Sequence, residues 1–227
     1  MNIKKCMKNF SKYLEKRTAL LTEDTIRMYL YLSMIEQDSD CNKYILELPY
    51  SDNKLGKISG LKPSSIKGSK QELDLFYNGK DKIACEVKFH RESNGKSSNG
   101  RTKKAGELFN DLNRLNLIDN SEIKKHLIYV TDEGMEKYLT DSNGGDYRKE
   151  LSDLFDENGT NKGISIFDKN TNLPKTFLDN AWKSFESNNK QQWKNPNLKL
   201  EIVFYDSITC VIETSKKEFY IRAIEVK

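Results

Sequence analysis

The chain has little of what metal and cofactor sites usually require. Among its 227 residues there are two histidines, His90 and His126, too few for a histidine-based metal nuclease. Four cysteines (Cys6, Cys41, Cys85 and Cys210) form no C-x-x-C pair and no zinc spacing. They read as reduced, mostly buried thiols of a cytoplasmic protein. No run approaches the roughly 18 apolar residues of a membrane span. The N-terminus is basic but no apolar stretch comes after it, so a secretory leader is not expected. Charge of one sign is also missing. With 38 Lys and Arg against 34 Asp and Glu the net charge is +4, so any nucleic-acid footprint must come from local clustering. There is no internal repeat, low-complexity tract or obvious linker, and 227 residues suit one domain. Ten Phe, eleven Tyr and two Trp supply a core to a chain in which 32% of residues are charged.

The most informative stretch present is Glu72 to His90, ELDLFYNGKDKIACEVKFH, which reads as two strands joined at Asn78-Gly79. In the second strand Ile83, Cys85, Val87 and Phe89 share one face, and Ala84, Glu86, Lys88 and His90 share the other. In the first, Leu73, Leu75 and Tyr77 lie opposite Glu72, Asp74 and Phe76. Two carboxylates and a lysine, Asp74, Glu86 and Lys88, can therefore converge, a set able to hold a divalent cation and act on a phosphate ester. Convergence places a demand on the turn. A two-residue turn would pair Tyr77 with Lys80 and put Asp74 on the wrong face. An odd loop of three or five residues, or a bulge, puts Asp74 on the face of Glu86.

Asp74 followed by Glu86-Val87-Lys88 resembles the PD-(D/E)XK nuclease superfamily, with Leu73 where that family often has proline. Three further D/E-x-K triplets occur: Asp52-Asn53-Lys54, Glu122-Ile123-Lys124 and Glu225-Val226-Lys227, the last with Asp206 upstream. The segment downstream of Lys88 favours the second triplet in the chain. Ala105, Leu108, Phe109, Leu112, Leu115 and Ile118 have helical spacing within Arg101 to Ile118, and His126 to Asp132 reads as a buried strand. Strand, strand, helix, strand is the order of the family's core. The resemblance implies an α/β (α+β) fold, a mixed central sheet flanked by helices with a restriction-endonuclease-like core. It implies a single nuclease domain with a helical portion over about 1–40, a catalytic core over about 44–132 and further helices and strands over about 133–227. Asp74, Glu86 and the Val87 carbonyl would bind Mg²⁺, for which Mn²⁺ can substitute, and Lys88 would orient the attacking water and stabilise developing charge. Glu36, Glu47, Glu72 and Glu107 are candidates for a further acid. The implied substrate is double-stranded DNA. A chain of this size is most similar to a type II restriction endonuclease, a homodimer on a palindromic site with a separately encoded DNA methyltransferase as cognate partner. A structure-specific resolvase or repair nuclease, and a non-catalytic DNA-binding module, are the alternatives.

Elsewhere, residues 8–17 and a segment capped by Thr22 read as helices, the second with Ile26, Tyr29, Leu30 and Met34 apolar and an end near Glu36. The phrase FSKYLEKRTALLTEDTIRMYLY also resembles the DNA-gripping module of tyrosine recombinases, but no H-x-x-R accompanies it. Packing of the helix pair against the sheet is the simpler expectation. Tyr44 to Tyr50 is a short strand. Two basic loops flank the hairpin: Ser51 to Lys70, with Lys54, Lys57, Lys62, Lys67 and Lys70, and His90 to Lys104. From the second, His90, Arg91, Lys96, Arg101, Lys103 and Lys104 are the candidate DNA contacts, and the loop is expected to be mobile without DNA. Helices are expected over 134–140, 146–155 and from Pro174, with strands over 163–167, 198–205, 208–213 and 218–226. Trp182 is expected in a core and Trp193 in an exposed polar segment.

Overall fold

The structure, a computed structural model, describes residues 1–19, 21–56, 58, 60–62, 72–92, 98–143, 146–155, 165–166, 172–186, 198–212 and 214–227. Its strands are β1 (Tyr44–Pro49), β2 (Glu72–Tyr77), β3 (Lys82–His90), β4 (Ile123–Asp132), β5 (Ser165–Ile166), β6 (Lys199–Ile212) and β7 (Ser215–Val226). They form one mixed sheet in the order β1-β2-β3-β4-β7-β6-β5, where the two-residue β5 adds only a short edge. β3 and β4 are parallel, and the other neighbours are antiparallel. The helices are α1 (Ile3–Glu15), α2 (Glu23–Ile35), α3 (Ser98–Asn116), α4 (Glu133–Thr140), α5 (Asp146–Phe155) and α6 (Lys175–Ala181). This is the α/β architecture, a mixed sheet with flanking helices, that the resemblance implies.

Alternation along the strands divides the core in two. Ile83, Cys85 and Val87 of β3 and Leu75 and Tyr77 of β2 pack with Met7, Phe10, Ile26 and Leu30 of α1 and α2. Ala84 and Phe76 join Leu108, Leu112, Met135, Leu151 and Phe177 of α3 to α6 on the other face. The polar face of β3 is thus turned toward α3. Thr22 caps α2 as its sequence predicts, accepting from the Thr25 amide, with Glu23 and Asp24 in the first turn. Glu36 at the helix end accepts hydrogen bonds from Asn9 and Tyr13 and so ties α2 to α1. That engagement makes it part of the helix pair.

Four expectations are corrected. Leu73 lies in the α3–α6 core, not with Leu75 and Tyr77. On the neighbouring strand, Glu47 adopts a left-handed backbone (φ 54°) between the pairs Leu46↔Leu75 and Leu48↔Leu73, which fall on different faces of the sheet. The segments 198–205 and 208–213 are one strand, β6, which absorbs a register shift between Ile202 and Phe204 and runs on through Asp206-Ser207, paired to Ile221 and Tyr220. The C-terminal part of the 90–104 loop is helix, because α3 begins at Ser98. His90 is a buried residue and not a surface DNA contact. Trp182 is buried against Phe185, at 5.1 Å between ring centroids, while Trp193, Lys96, Lys57, Lys67 and Lys70 lie outside the described residues.

Candidate active site

β2 and β3 pair as Tyr77↔Ile83, Phe76↔Ala84 and Leu75↔Cys85, leaving residues 78–82 as a five-residue connection. The odd length sets Asp74 opposite Glu86, on one face, as convergence requires. Glu47 of β1 and Asp74 of β2 both fall between the pairs Leu46↔Leu75 and Leu48↔Leu73, and both meet the Arg27 guanidinium. Asp74 and Glu86 are 1% and 0% exposed, so neither is solvated as a surface acid would be.

Each acid is held by hydrogen-bond donors. Asp74 Oδ2 accepts the Val87 amide at 2.7 Å, and Oδ1 lies 3.3 Å from Arg27 Nε. Glu86 Oε1 accepts from the Tyr50 hydroxyl at 2.7 Å and pairs with Arg114 at 2.9 Å, while the Arg114 guanidinium lies over the Tyr50 ring at 5.3 Å. Lys88 Nζ sits between Asp111 (3.2 Å) and Glu23 (3.4 Å), and Glu23 also accepts the Phe89 amide at 3.3 Å. Burial alone would lower the Lys88 pKa, but Asp111, Glu23 and Glu86 outweigh it and hold the ammonium above its ordinary value. Burial likewise opposes the charge on Arg114, and Glu86 and Asp111 reverse that effect. Desolvation and the Glu86 carboxylate push the Tyr50 phenol well up, so it remains a donor.

These contacts have a simple geometric origin. Glu86, Lys88 and His90 are alternate residues on one face of β3, and Glu107, Asp111 and Arg114 are spaced i, i+4, i+7 on one stripe of α3. They meet in antiparallel order: Glu86 with Arg114, Lys88 with Asp111, and His90 Nε2 with Glu107 at 3.7 Å. The helix is buried all round from Leu108 to Leu115. Its other polar stripe faces the end of α6 and the turn after it, where Asn113 bonds to the Ala181 carbonyl and Asn110 to Ser184. Gly106 permits that approach, since a Cβ there would lie 2.5 Å from the Phe177 carbonyl oxygen. Helix α3 is thus fixed from both sides, and its charged stripe is fixed with it.

The remaining sequence candidates are dispersed. Glu72 is exposed at the start of β2, and Glu107 serves His90 and Lys183. Arg91 is exposed, with its guanidinium 5.6 Å from the Phe89 ring, and Lys103 is exposed. Arg101 pairs with Glu92, and Lys104 donates to the Arg91 carbonyl. The rival triplet at the C-terminus gathers no Asp206. Lys227 bridges Glu225 and Glu201, whereas Asp206 lies opposite Ile221. Glu23, Arg27, Tyr50, Asp111 and Arg114 are site residues that the sequence pattern does not single out. The one available signal was in α3, where Asp111 and Arg114 interrupt the apolar run at positions too close to the core stripe for a solvated face.

His90 is held down to about 3 by burial and by Lys88, with its Nδ1 3.1 Å from the Tyr129 hydroxyl; His126 is held down to about 4, mainly by burial. Both rings are therefore neutral in the fold, and each takes up a proton on unfolding below its ordinary pKa of about 6.5. The stability they contribute is complete above that pH and is lost as pH falls toward 4 and then 3. Urea unfolding is expected to show a loss of roughly 3 kcal/mol between pH 7 and pH 5. Much of that slope should vanish in the His90→Gln/His126→Gln protein, and an unchanged slope would refute the assignment.

Asp74 and Glu86 present hard oxygen donors, as Mg²⁺ and Mn²⁺ prefer, and a cation already stands on Asp74 in the form of the Arg27 guanidinium. The donor set fits such an ion. Among the described residues no three or more Asp, Glu, His or Cys side chains are grouped as a ready metal cage, so water would complete the shell. Comparison of the chain with known families, with curated proteins and with solved structures finds no match.

Proposed function

We propose that the protein is a metal-dependent endonuclease of the PD-(D/E)XK type that hydrolyses phosphodiester bonds of double-stranded DNA. The observation that carries this reading is the odd β2–β3 connection, which sets Asp74 opposite Glu86 with Lys88 two residues on, succeeded by α3 and the parallel strand β4. Asp74, Glu86 and the Val87 carbonyl would hold Mg²⁺ or Mn²⁺, which when bound activates water and neutralises charge on the leaving oxygen. Lys88, kept protonated by its carboxylate neighbours, acts as a fixed cation that orients water and stabilises developing charge; a general base would need the opposite shift. Glu23, at the first turn of α2, and Asp111 position that ammonium. Of the cations that follow β3, Arg91 and Lys103 are exposed and available to the DNA backbone. In its finer form the proposal is a cytoplasmic type II restriction enzyme, a homodimer on a palindromic site, with a separately encoded methyltransferase protecting host DNA.

One observation favours a second reading, a non-catalytic DNA-binding module. Both acids are buried and each is paired with a guanidinium, as in a purely structural network. Incubation with long, sequence-diverse DNA separates the two. Discrete fragments with Mg²⁺ and none with EDTA are expected. A smear, or preference for branched DNA, would favour a repair or resolvase nuclease. Binding without cleavage on all substrates would favour the module.

A further inference from the structure

Two arginines serve the two acids, and they are built differently. The Arg114 side chain is 1% exposed and packs over Tyr50, so it cannot leave Glu86 without stranding a buried charge. Arg27, one helical turn after Glu23, is 26% exposed. Its guanidinium meets carboxylates from three elements: Asp74 at 3.3 Å, Glu23 and Asp24 each at 3.4 Å, and Glu47 at 3.8 Å. Asp24 and Glu47 are 86% and 64% exposed, on the solvent side of the arginine. Arg27 therefore has partners to retain when it gives up Asp74.

We infer that Arg27 is the resident counter-cation of Asp74, that it competes with the divalent ion for this carboxylate, and that Glu23, Asp24 and Glu47 hold its guanidinium once the ion has taken its place. The inference rests on the proposed role of Asp74 in holding the metal. Asp74 Oδ2 is engaged by the Val87 amide, so an incoming ion meets Oδ1, the oxygen that faces Arg27. Two cations on one carboxylate oxygen repel, and the arginine is the one with an alternative. Glu47 is suited to receive it, because it falls between the same strand pairs as Asp74 and already meets the guanidinium. The carboxylates around Arg27 then change from competitors of Asp74 into the restraint that keeps the guanidinium at the rim of the site.

The test titrates Mn²⁺ into the full-length protein and reads free Mn²⁺ by its paramagnetic resonance signal, without DNA. Arg27→Gln is expected to bind Mn²⁺ about tenfold more tightly than wild type, since a competing charge is gone. Arg27→Lys, which keeps the charge, is expected to stay near wild type. The gain should disappear in Arg27→Gln/Asp74→Asn. A second measurement uses the wild-type chain alone: the Arg27 Nε–H nuclear resonance should shift on Mg²⁺ addition, along the same titration curve as metal binding. Binding that depends on Asp74 but is unchanged or weaker in Arg27→Gln overturns the inference, as does an Arg27 resonance indifferent to Mg²⁺. Absence of any Asp74-dependent binding, in wild type and variant alike, overturns the metal-holding role of Asp74 and the inference with it.

Discussion

Replacement of Lys88 by methionine is expected to lower Mg²⁺-dependent DNA cleavage by about a thousandfold while the protein remains folded. Methionine preserves the unbranched stem that packs beneath the ammonium and removes only the charge. The charge is what the site is built to hold. Asp111 and Glu23 flank it at 3.2 and 3.4 Å, and both raise its pKa against the pull of burial. Loss of a single preorganised donor at a developing anion costs about 10²–10³ in turnover. The raised pKa has a second consequence that separates the electrostatic role from a general-base role. Above neutral pH the ammonium stays protonated, so cleavage by the wild-type enzyme should show no inflection attributable to Lys88 up to about pH 10. A general base would instead gain activity as its proton leaves. Single-turnover rates with Lys88→Met, with near-ultraviolet circular dichroism as the check on folding, decide the matter. Wild-type rates in the variant would remove Lys88 from the chemistry.

The face on which Asp74 lies could be read from the sequence because strand parity holds from Asp74 through Tyr77, although it breaks at Leu73, and because one connection has an odd length. Period two fixes which residues share a side, and the requirement that two acids meet converts that parity into an odd loop, here residues 78–82. Thr22 as a cap was legible for the same reason, since capping is settled within one helical turn. The illegible part depends on how separate elements approach one another. Glu23 and Arg27 belong to a helix whose apolar residues pack on the opposite face of the sheet, and only the tertiary placement of its first turns brings them to Lys88 and Asp74. Leu73 was assigned to the wrong core because the positive φ of Glu47 belongs to β1 and leaves no mark on the β2 sequence. Helical spacing was legible from Arg101, but α3 starts three residues earlier, at Ser98, within the hydrophilic loop expected from His90 to Lys104, and it is held by α6 and β3. Local propensity is a weak guide where packing on both sides decides.

In the same row of the sheet as Lys88, two strands away across Tyr129, the largest effect on stability is expected at Arg222. It is wholly buried on β7, opposite Tyr129 and Tyr205, and its guanidinium forms a two-pronged pair with Glu136 of α4, one arm at 2.6 Å. It also donates to the Phe155 carbonyl at 2.7 Å, lies 4.8 Å from the centre of the Tyr205 ring, and shares Glu136 with the Thr131 hydroxyl. One side chain thus ties α4 and the end of α5 to the sheet. Arg222→Met removes the cation and leaves the Glu136 carboxylate without its principal partner in the core, a change expected to cost about 3–5 kcal/mol. Urea unfolding should show this as a lower midpoint with an unchanged slope. The cost is mainly that of the stranded charge, so Arg222→Met/Glu136→Met should recover most of it. A residue of about 1 kcal/mol should remain for the Phe155 carbonyl, which has lost its donor. If the double variant is no more stable than the single one, the pair is worth its full Coulombic attraction and the desolvation argument is wrong for this core. Because these residues touch neither Asp74, Glu86 nor Lys88, the double variant at a temperature where it is folded should cleave DNA as wild type does. Loss of cleavage in Lys88→Met would then be attributable to the missing ammonium and not to a weakened fold.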